Sequence, residues 1–118
     1  MSKHLQRIGQ WGESAAAEYL EKRGYSVVRR NARTPYGEID IVAEKEGYSI
    51  FVEVKARTTK KFGPPEIAVT RRKQEHMIAA ASFYAAEHDI EHWQIDVIAV
   101  EGKPGSEPIF TYFENALG

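Results

Sequence analysis

The sequence predicts an α/β fold in which a mixed central β-sheet is flanked by helices. Three features carry that expectation: a helix-period stretch opens the chain, three strand-period stretches follow, and a second helical stretch separates them from two further strands. Each helix carries one apolar stripe that must be buried, and the sheet is the surface that can bury it. The helix between the third and fourth strands serves as a βαβ crossover, which makes that strand pair parallel and the sheet mixed. With 118 residues the chain fits a single domain, 1–118, because about 100 to 150 residues is the common size for a unit with one core.

The first helix is expected from about Lys3 to Lys22, with Leu5, Ile8, Gly12, Ala15, Ala16, Tyr19 and Leu20 recurring at the helical period and Arg23-Gly24 as its stop. Glu13 borders this stripe, so its carboxylate either faces inward with a partner or a metal, or keeps its tip in water. Tyr25 to Arg30 reads as a first strand that ends in a polar loop, Asn31 to Gly37. Glu38 to Ala43 and Tyr48 to Arg57 both alternate, with a glycine-containing turn at Lys45-Glu46-Gly47 between them. The stretch from Thr58 to Pro65 reads as a mostly polar loop. Thr70 is a good N-cap for a second helix that reaches about His88, with Met77, Ile78, Ala81, Tyr84 and Ala85 as its stripe. Lys73 shares the side of that stripe, one turn closer to the helix start. Gln94 to Val100 is a nearly continuous apolar strand, as expected for a central one, and Ile109 to Phe113 reads as an edge strand.

The register of the hairpin can be argued from pattern alone. Ile39, Ile41 and Ala43 share one face of the first strand, and Ile50, Val52 and Val54 share one face of the second. A two-residue turn at Glu46-Gly47 sets Ile39 opposite Val54, Ile41 opposite Val52 and Ala43 opposite Ile50, whereas a one-residue slip would put apolar residues against charged ones. The same register sets Asp40 opposite Glu53 and Glu38 opposite Lys55. Directly opposed Cβ atoms lie about 4.5 to 5.5 Å apart, so the two carboxylates stand side by side. Opposed like charges are destabilising, and a hard divalent cation with oxygen ligands would compensate them. Lys55, on the same face about 7 Å along the strand, could orient a water or offset charge on a phosphate. The alternative is a solvated face on which Glu38 pairs with Lys55 and the opposed acids are tolerated.

Composition narrows the function classes. Hydrophobic residues at 42% and charged ones at 28% are those of an ordinary soluble globular protein. The absence of cysteine excludes disulfides and thiolate metal sites. The N-terminus has no apolar secretory core, and the longest apolar stretch, Met77 to Ala86, is about half the roughly 20 residues needed to cross a bilayer, so a cytoplasmic protein without membrane contact is expected. Net charge is only -1, yet it is segregated: Lys55 to Lys73 holds seven basic residues and one acidic residue, while Gln74 to Gly118 holds eight acidic residues and one lysine. Such a basic stretch is either an electrostatic footprint for phosphates or a solvated face. His88 and His92 could share a helical face, although exposed histidines are the commoner outcome. Asp96 either approaches the acidic cluster or marks the edge of the buried face. Trp11 and Tyr36 could stack on bases or pack against the protein.

Taken together, Gly12-Glu13-x-x-Ala16, Gly24-Tyr25, Asn31-x-Arg33, Gly37-Glu38-Ile39-Asp40-Ile41-Val42-Ala43, Phe51-Val52-Glu53-Val54-Lys55-x-Arg57, Phe62-Gly63-Pro64, Lys73 and Ile95-Asp96-Val97 resemble the YraN-like family of small bacterial proteins. That family is similar to the restriction-endonuclease-like (PD-(D/E)XK) nucleases and, among them, to archaeal Holliday junction resolvases. The resemblance covers nearly the whole chain. It implies a restriction-endonuclease-like fold in which Asp40 and Glu53 bind metal, Lys55 assists the attacking water, and Glu13 completes the acidic cluster from the first helix. Ile39 stands where the nuclease motif has proline, a position that varies among such nucleases. The function expected is that of a Mg²⁺- or Mn²⁺-dependent DNA endonuclease, with branched or junction DNA as a candidate substrate. Arg57, Lys60, Lys61, Arg71 and Lys73 are expected to grip the phosphate backbone. A homodimer follows by analogy with junction resolvases, which cut two strands symmetrically. A non-catalytic nucleic-acid-binding or adaptor protein that retains the fold is the alternative, and the charge segregation fits both.

Overall fold

A computed structural model describes residues 3–58 and 70–117. It contains α1 (Lys3–Lys22), β1 (Ser26–Thr34), β2 (Gly37–Lys45), β3 (Tyr48–Arg57), α2 (Arg71–Glu87), β4 (Trp93–Glu101) and β5 (Ile109–Phe113). The strands form one five-stranded sheet in sequence order. β3 and β4 are parallel and the other neighbouring pairs antiparallel, so the sheet is mixed, with α2 as the crossover. This is the α/β architecture the sequence predicts. No helix among the described residues is long and apolar enough to cross a membrane.

The helices take opposite faces. Ala16, Ala17 and Leu20 of α1 pack with Ile41, Ala43, Ile50, Val52, Ile98 and Val100. Ala80, Ala81, Tyr84 and Ala85 of α2 pack with Ala32, Ile39, Val42, Phe51 and Ile95. Ile8 and Gly12 extend the buried stripe of α1, while the side chain of Leu5 lies outside the described residues. On α2 the stripe differs in one member: Ile78 is exposed, and Ala80 is buried in its place. Thr70 caps α2, its Oγ1 accepting from the Lys73 N–H at 3.1 Å.

Three local features set the sheet. Glu46 and Gly47 both adopt positive φ, 51° and 84°, the two-residue turn whose twist matches antiparallel strands. The register it produces pairs Ile41 with Val52 and Ala43 with Ile50, as expected. The second feature departs from expectation. β1 does not end at Arg30 but runs on to Thr34 in one register with β2, Arg30 opposite Ile41, Ala32 opposite Ile39 and Arg33 opposite Glu38, with Asn31 at a left-handed φ of 54° among them and the one register shift earlier, between Val27 and Arg29. Asparagine tolerates that conformation better than most residues, so a polar residue that reads as a loop becomes a kink in a strand. Third, alternation fails at Asp40: Ile41 and Ala43 face α1, but Ile39 belongs to the α2 side.

Candidate functional site

The break at Asp40 is what makes the site. Pairing of β2 with β3 ends at Ile41–Val52. Beyond it the Val54 N–H donates to Asp40 Oδ2 at 2.8 Å, so a side chain satisfies a backbone donor and its carboxyl is fixed against β3. The expected opposition of Asp40 to Glu53 and of Glu38 to Lys55 is therefore not a ladder pairing. The two carboxyls nevertheless come close enough for the Glu53 charge to act on Asp40. Burial, and then the neighbouring Glu53 charge, push the Asp40 carboxyl up to about 7, against the lowering effect of the Val54 N–H.

Glu53, with a side chain only 15% exposed, faces two cations. Its Oε1 lies 3.6 Å from Lys55 Nζ and 3.5 Å from Lys73 Nζ. Lys55 comes from the same face of β3, two residues on, and Lys73 from the first turn of α2, which Thr70 positions by its cap. The two amines differ. Burial and the adjacent Lys73 push Lys55 below the ordinary lysine value, whereas Lys73 is pushed up by its contacts with Lys55 and Glu53.

Glu13 approaches from α1. Gly12 lets the helix come this close: a Cβ there would stand 2.5 Å from the Ala56 Cβ on β3. Glu13 pairs with Arg30 at 3.7 Å, and its charge adds to the rise at Asp40. Burial pushes the Glu13 carboxyl up, and Arg30 and Asn31 pull the other way. With its amide nitrogen turned toward the carboxylates, Asn31 donates to Glu13 Oε1 at 3.1 Å and to Glu38 Oε1 at 3.3 Å. The left-handed Asn31 backbone thereby places a bridge between helix and hairpin. Glu38, expected near Lys55, instead meets Arg33, its partner on β1, at 3.9 Å.

Of the expected phosphate contacts, Lys73 lies in the site itself. Arg57 Nη2 lies 3.3 Å from the buried Glu101 Oε2, across the β3–β4 ladder. Arg71, in the first turn of α2, pairs with Glu75 at 3.7 Å. Lys60 and Lys61, with most of the Thr58–Pro65 loop, lie outside the described residues. Asp96 does not join the cluster. It is fully buried and accepts from Gln94 Nε2 at 2.9 Å, from the Asn115 N–H at 2.8 Å and from the Tyr112 hydroxyl, so it ties the C-terminal segment to β4. His88 stacks on Tyr84 and His92 neighbours Tyr48, which separates the two histidines. Trp11 packs against the α1-side core, and Tyr36 stays half exposed beside Phe83. Arg30 and Asn31 were missed as site residues. Their only signal is that Asn31 lies within the Asn-x-Arg motif, since nothing in strand periodicity marks a left-handed residue.

The donor set is of the kind a hard divalent cation takes: Asp40, Glu53 and Glu13 offer only carboxylate oxygens, and the repulsion between Asp40 and the Glu53 charge is one a cation would relieve. Among the described residues, no three histidine, cysteine or acidic side chains are grouped closely enough to hold a metal ion between them. Mg²⁺ often uses only one or two carboxylates, with water and substrate phosphate completing the shell, so the residues fit that kind of site and not a closed protein cage.

Comparison with known proteins agrees with the motifs. A UPF0102 protein of Dehalococcoides mccartyi is 40% identical over 100% of this chain and 98% of its own. One from Trichlorobacter lovleyi is 40% identical over 99% and 94%, and one from Syntrophotalea carbinolica 43% identical over 93% and 90%. Among solved structures, Pyrococcus furiosus SfsA in complex with Ca²⁺ superposes with a TM-score of 0.48 at 15% identity, covering 91% of this chain, which spans 64% of that one. The model of Uncharacterised protein family UPF0102 matches residues 12–100, from the glycine that seats α1 nearly to the end of β4, and the chain belongs to that family, the YraN-like group its motifs resemble.

Proposed function

We propose that the protein is a metal-dependent DNA endonuclease, with branched or junction DNA among its substrates. The observation that carries this reading is the meeting of Asp40 and Glu53 at the end of the β2–β3 ladder, with Lys55 and Lys73 both against Glu53. Asp40, Glu53 and Glu13 would hold Mg²⁺ or Mn²⁺, which when bound supplies a polarised water and neutralises phosphate charge. Lys55, beside Glu53 on the same face of β3, is suited to orient the attacking water. Lys73 keeps its positive charge and would face a phosphate oxygen. Arg57, Lys60, Lys61 and Arg71 would extend the grip along the strand. A homodimer would allow two strands to be cut symmetrically.

A second reading rests on a specific observation. Each charged group of the site has a protein partner: Asp40 with the Val54 N–H, Glu53 with two lysines, Glu13 with Arg30. A site satisfied in this way also suits a non-catalytic nucleic-acid-binding protein. The test is incubation with Mg²⁺ or Mn²⁺ and a panel of four-way junctions, flaps, single strands and duplexes, beside Asp40→Asn and Lys55→Ala, with calorimetric titration of the metal alone. The nuclease reading expects cleavage abolished in both variants and metal binding lost in Asp40→Asn. Cleavage that survives either substitution would remove the assignment, and DNA binding without cleavage would favour the second reading.

A further inference from the structure

Beside Glu53 a groove of about 390 Å³ runs between the β1–β2 turn and the first turns of α2. We infer that this groove is a subsite for one unpaired nucleobase, stacked on Tyr36, so that the favoured DNA carries a single-stranded or splayed nucleotide next to the phosphate that Lys73 would face. The inference rests on the nucleic-acid reading above and adds the substrate class.

Continuity with the site is the first argument, since Glu53 and Lys73 line the groove and belong to the acidic and lysine cluster as well. Its chemistry is the second. Tyr36 supplies an aromatic face, Met77 an apolar floor, and Arg72, Lys73 and His76 a polar and basic wall along α2. A π surface beside cations is the combination that holds a base and its own phosphate together, and stacking of that kind accepts any base. Lys73 is paired with Glu53, and Glu38 also lines the groove, so its charge is mixed and a simple anion would have no use for the ring.

Preorganisation is the third argument. Tyr36 sits in a turn fixed by its own N–H donating to Thr34 Oγ1 at 3.1 Å and by the Thr34 hydroxyl donating to the Gly37 carbonyl at 2.7 Å. The ring meets Phe83 of α2 edge to face at 6.2 Å, yet the residue stays 51% exposed. An aromatic residue held by its turn and braced on one side, with half its surface free, is set to receive a flat partner at little entropic cost. The volume falls near the lower end of small-ligand pockets, about 300 to 1,000 Å³, and is ample for one base.

The test is binding in EDTA, so that it does not depend on cleavage. Fluorescence anisotropy would compare a splayed-arm DNA with a blunt duplex of the same length, using the unaltered protein, Tyr36→Ala and Tyr36→Phe. A 2-aminopurine placed at the first unpaired position would report stacking directly. The expected result is tighter binding of the splayed DNA, weakened about tenfold by Tyr36→Ala and retained by Tyr36→Phe, with duplex affinity unchanged and 2-aminopurine quenching lost only in Tyr36→Ala. Equal affinity of the unaltered protein for both DNAs, equal losses on both, or quenching that survives Tyr36→Ala would overturn it. Base preference without metal-dependent cleavage would leave the subsite standing and sink only the nuclease reading, while cleavage indifferent to Tyr36 and to unpaired bases would do the reverse.

Discussion

Asp40 accepts a backbone N–H, leans on a second carboxylate and is largely shut away from water, and these demands fall on a single side chain. In the unfolded chain it titrates near the ordinary aspartate value, about 3.9, and in the fold at about 7. Between those two values the folded protein binds more protons than the unfolded one, so stability falls as pH rises through the window and stays reduced above it. Asparagine keeps an oxygen for the Val54 N–H and removes the charge. Asp40→Asn should therefore raise the Tm by several degrees at about pH 8 in metal-free buffer, with the gain fading as pH approaches about 4. A gain of equal size at both ends of that range would mean that burial of this charge is not what the substitution relieves. The same proton competes with a cation, so metal binding should weaken as pH is lowered through 7, which calorimetry in buffers of different ionisation enthalpy would register as proton release.

At the level of elements, the approach of α1 to β3 decides whether Glu13 reaches the hairpin. Gly12→Ala would set a methyl 2.5 Å from the Ala56 Cβ, and neither carbon can rotate away. We expect a loss of about 1 to 3 kcal/mol in denaturant unfolding, from overpacking, together with weaker metal binding as the helix moves outward. Gly9 on the same helix is the control, because a Cβ there meets nothing within 4 Å. Gly9→Ala should be neutral or stabilise by up to about 1 kcal/mol through helix propensity. If both substitutions behave alike, the close crossing is not important to stability. This contact was half legible: Gly12 stands in the apolar stripe of the sequence, but the identity of its partner, Ala56, depends on the crossing of helix and sheet. The continuation of β1 was not legible at all. Asn31 and the polar residues after it carry the composition of a loop, and only the pairing of Ala32, Arg33 and Thr34 with β2 reveals that the strand goes on.

For the molecule as a whole, patterning alone determines much of the order. The ends of α1, the Glu46-Gly47 turn, the extents of β3 and β5 and the parallel crossover all follow from helical period, alternation and turn chemistry. Asp40, Glu53, Lys55, Glu13 and Lys73, which the structure brings near one another, can be named from the sequence, but their geometry cannot. Period-two reasoning assumes that each backbone donor is met by the neighbouring strand, and it has no means of seeing a carboxylate take that place. Charge segregation along the chain predicts a bulk property: DNA binding should fall steeply with salt, with a log–log slope that drops by about 0.9 for each phosphate contact removed. Lys73→Ala should lower that slope on every DNA tested, duplex or splayed, whereas Tyr36→Ala should leave it unchanged, which anisotropy titrations at several salt concentrations would distinguish.

Because Asp40 Oδ2 is bonded to the Val54 N–H, the ionisation of the site is written into one backbone amide. Its proton resonance should move downfield as the carboxyl loses its proton near pH 7 and shift again when a cation draws on the same oxygens. Val54 is thus a spectroscopic reporter on the main chain, able to follow the charge at the centre of the molecule without a label or a substrate.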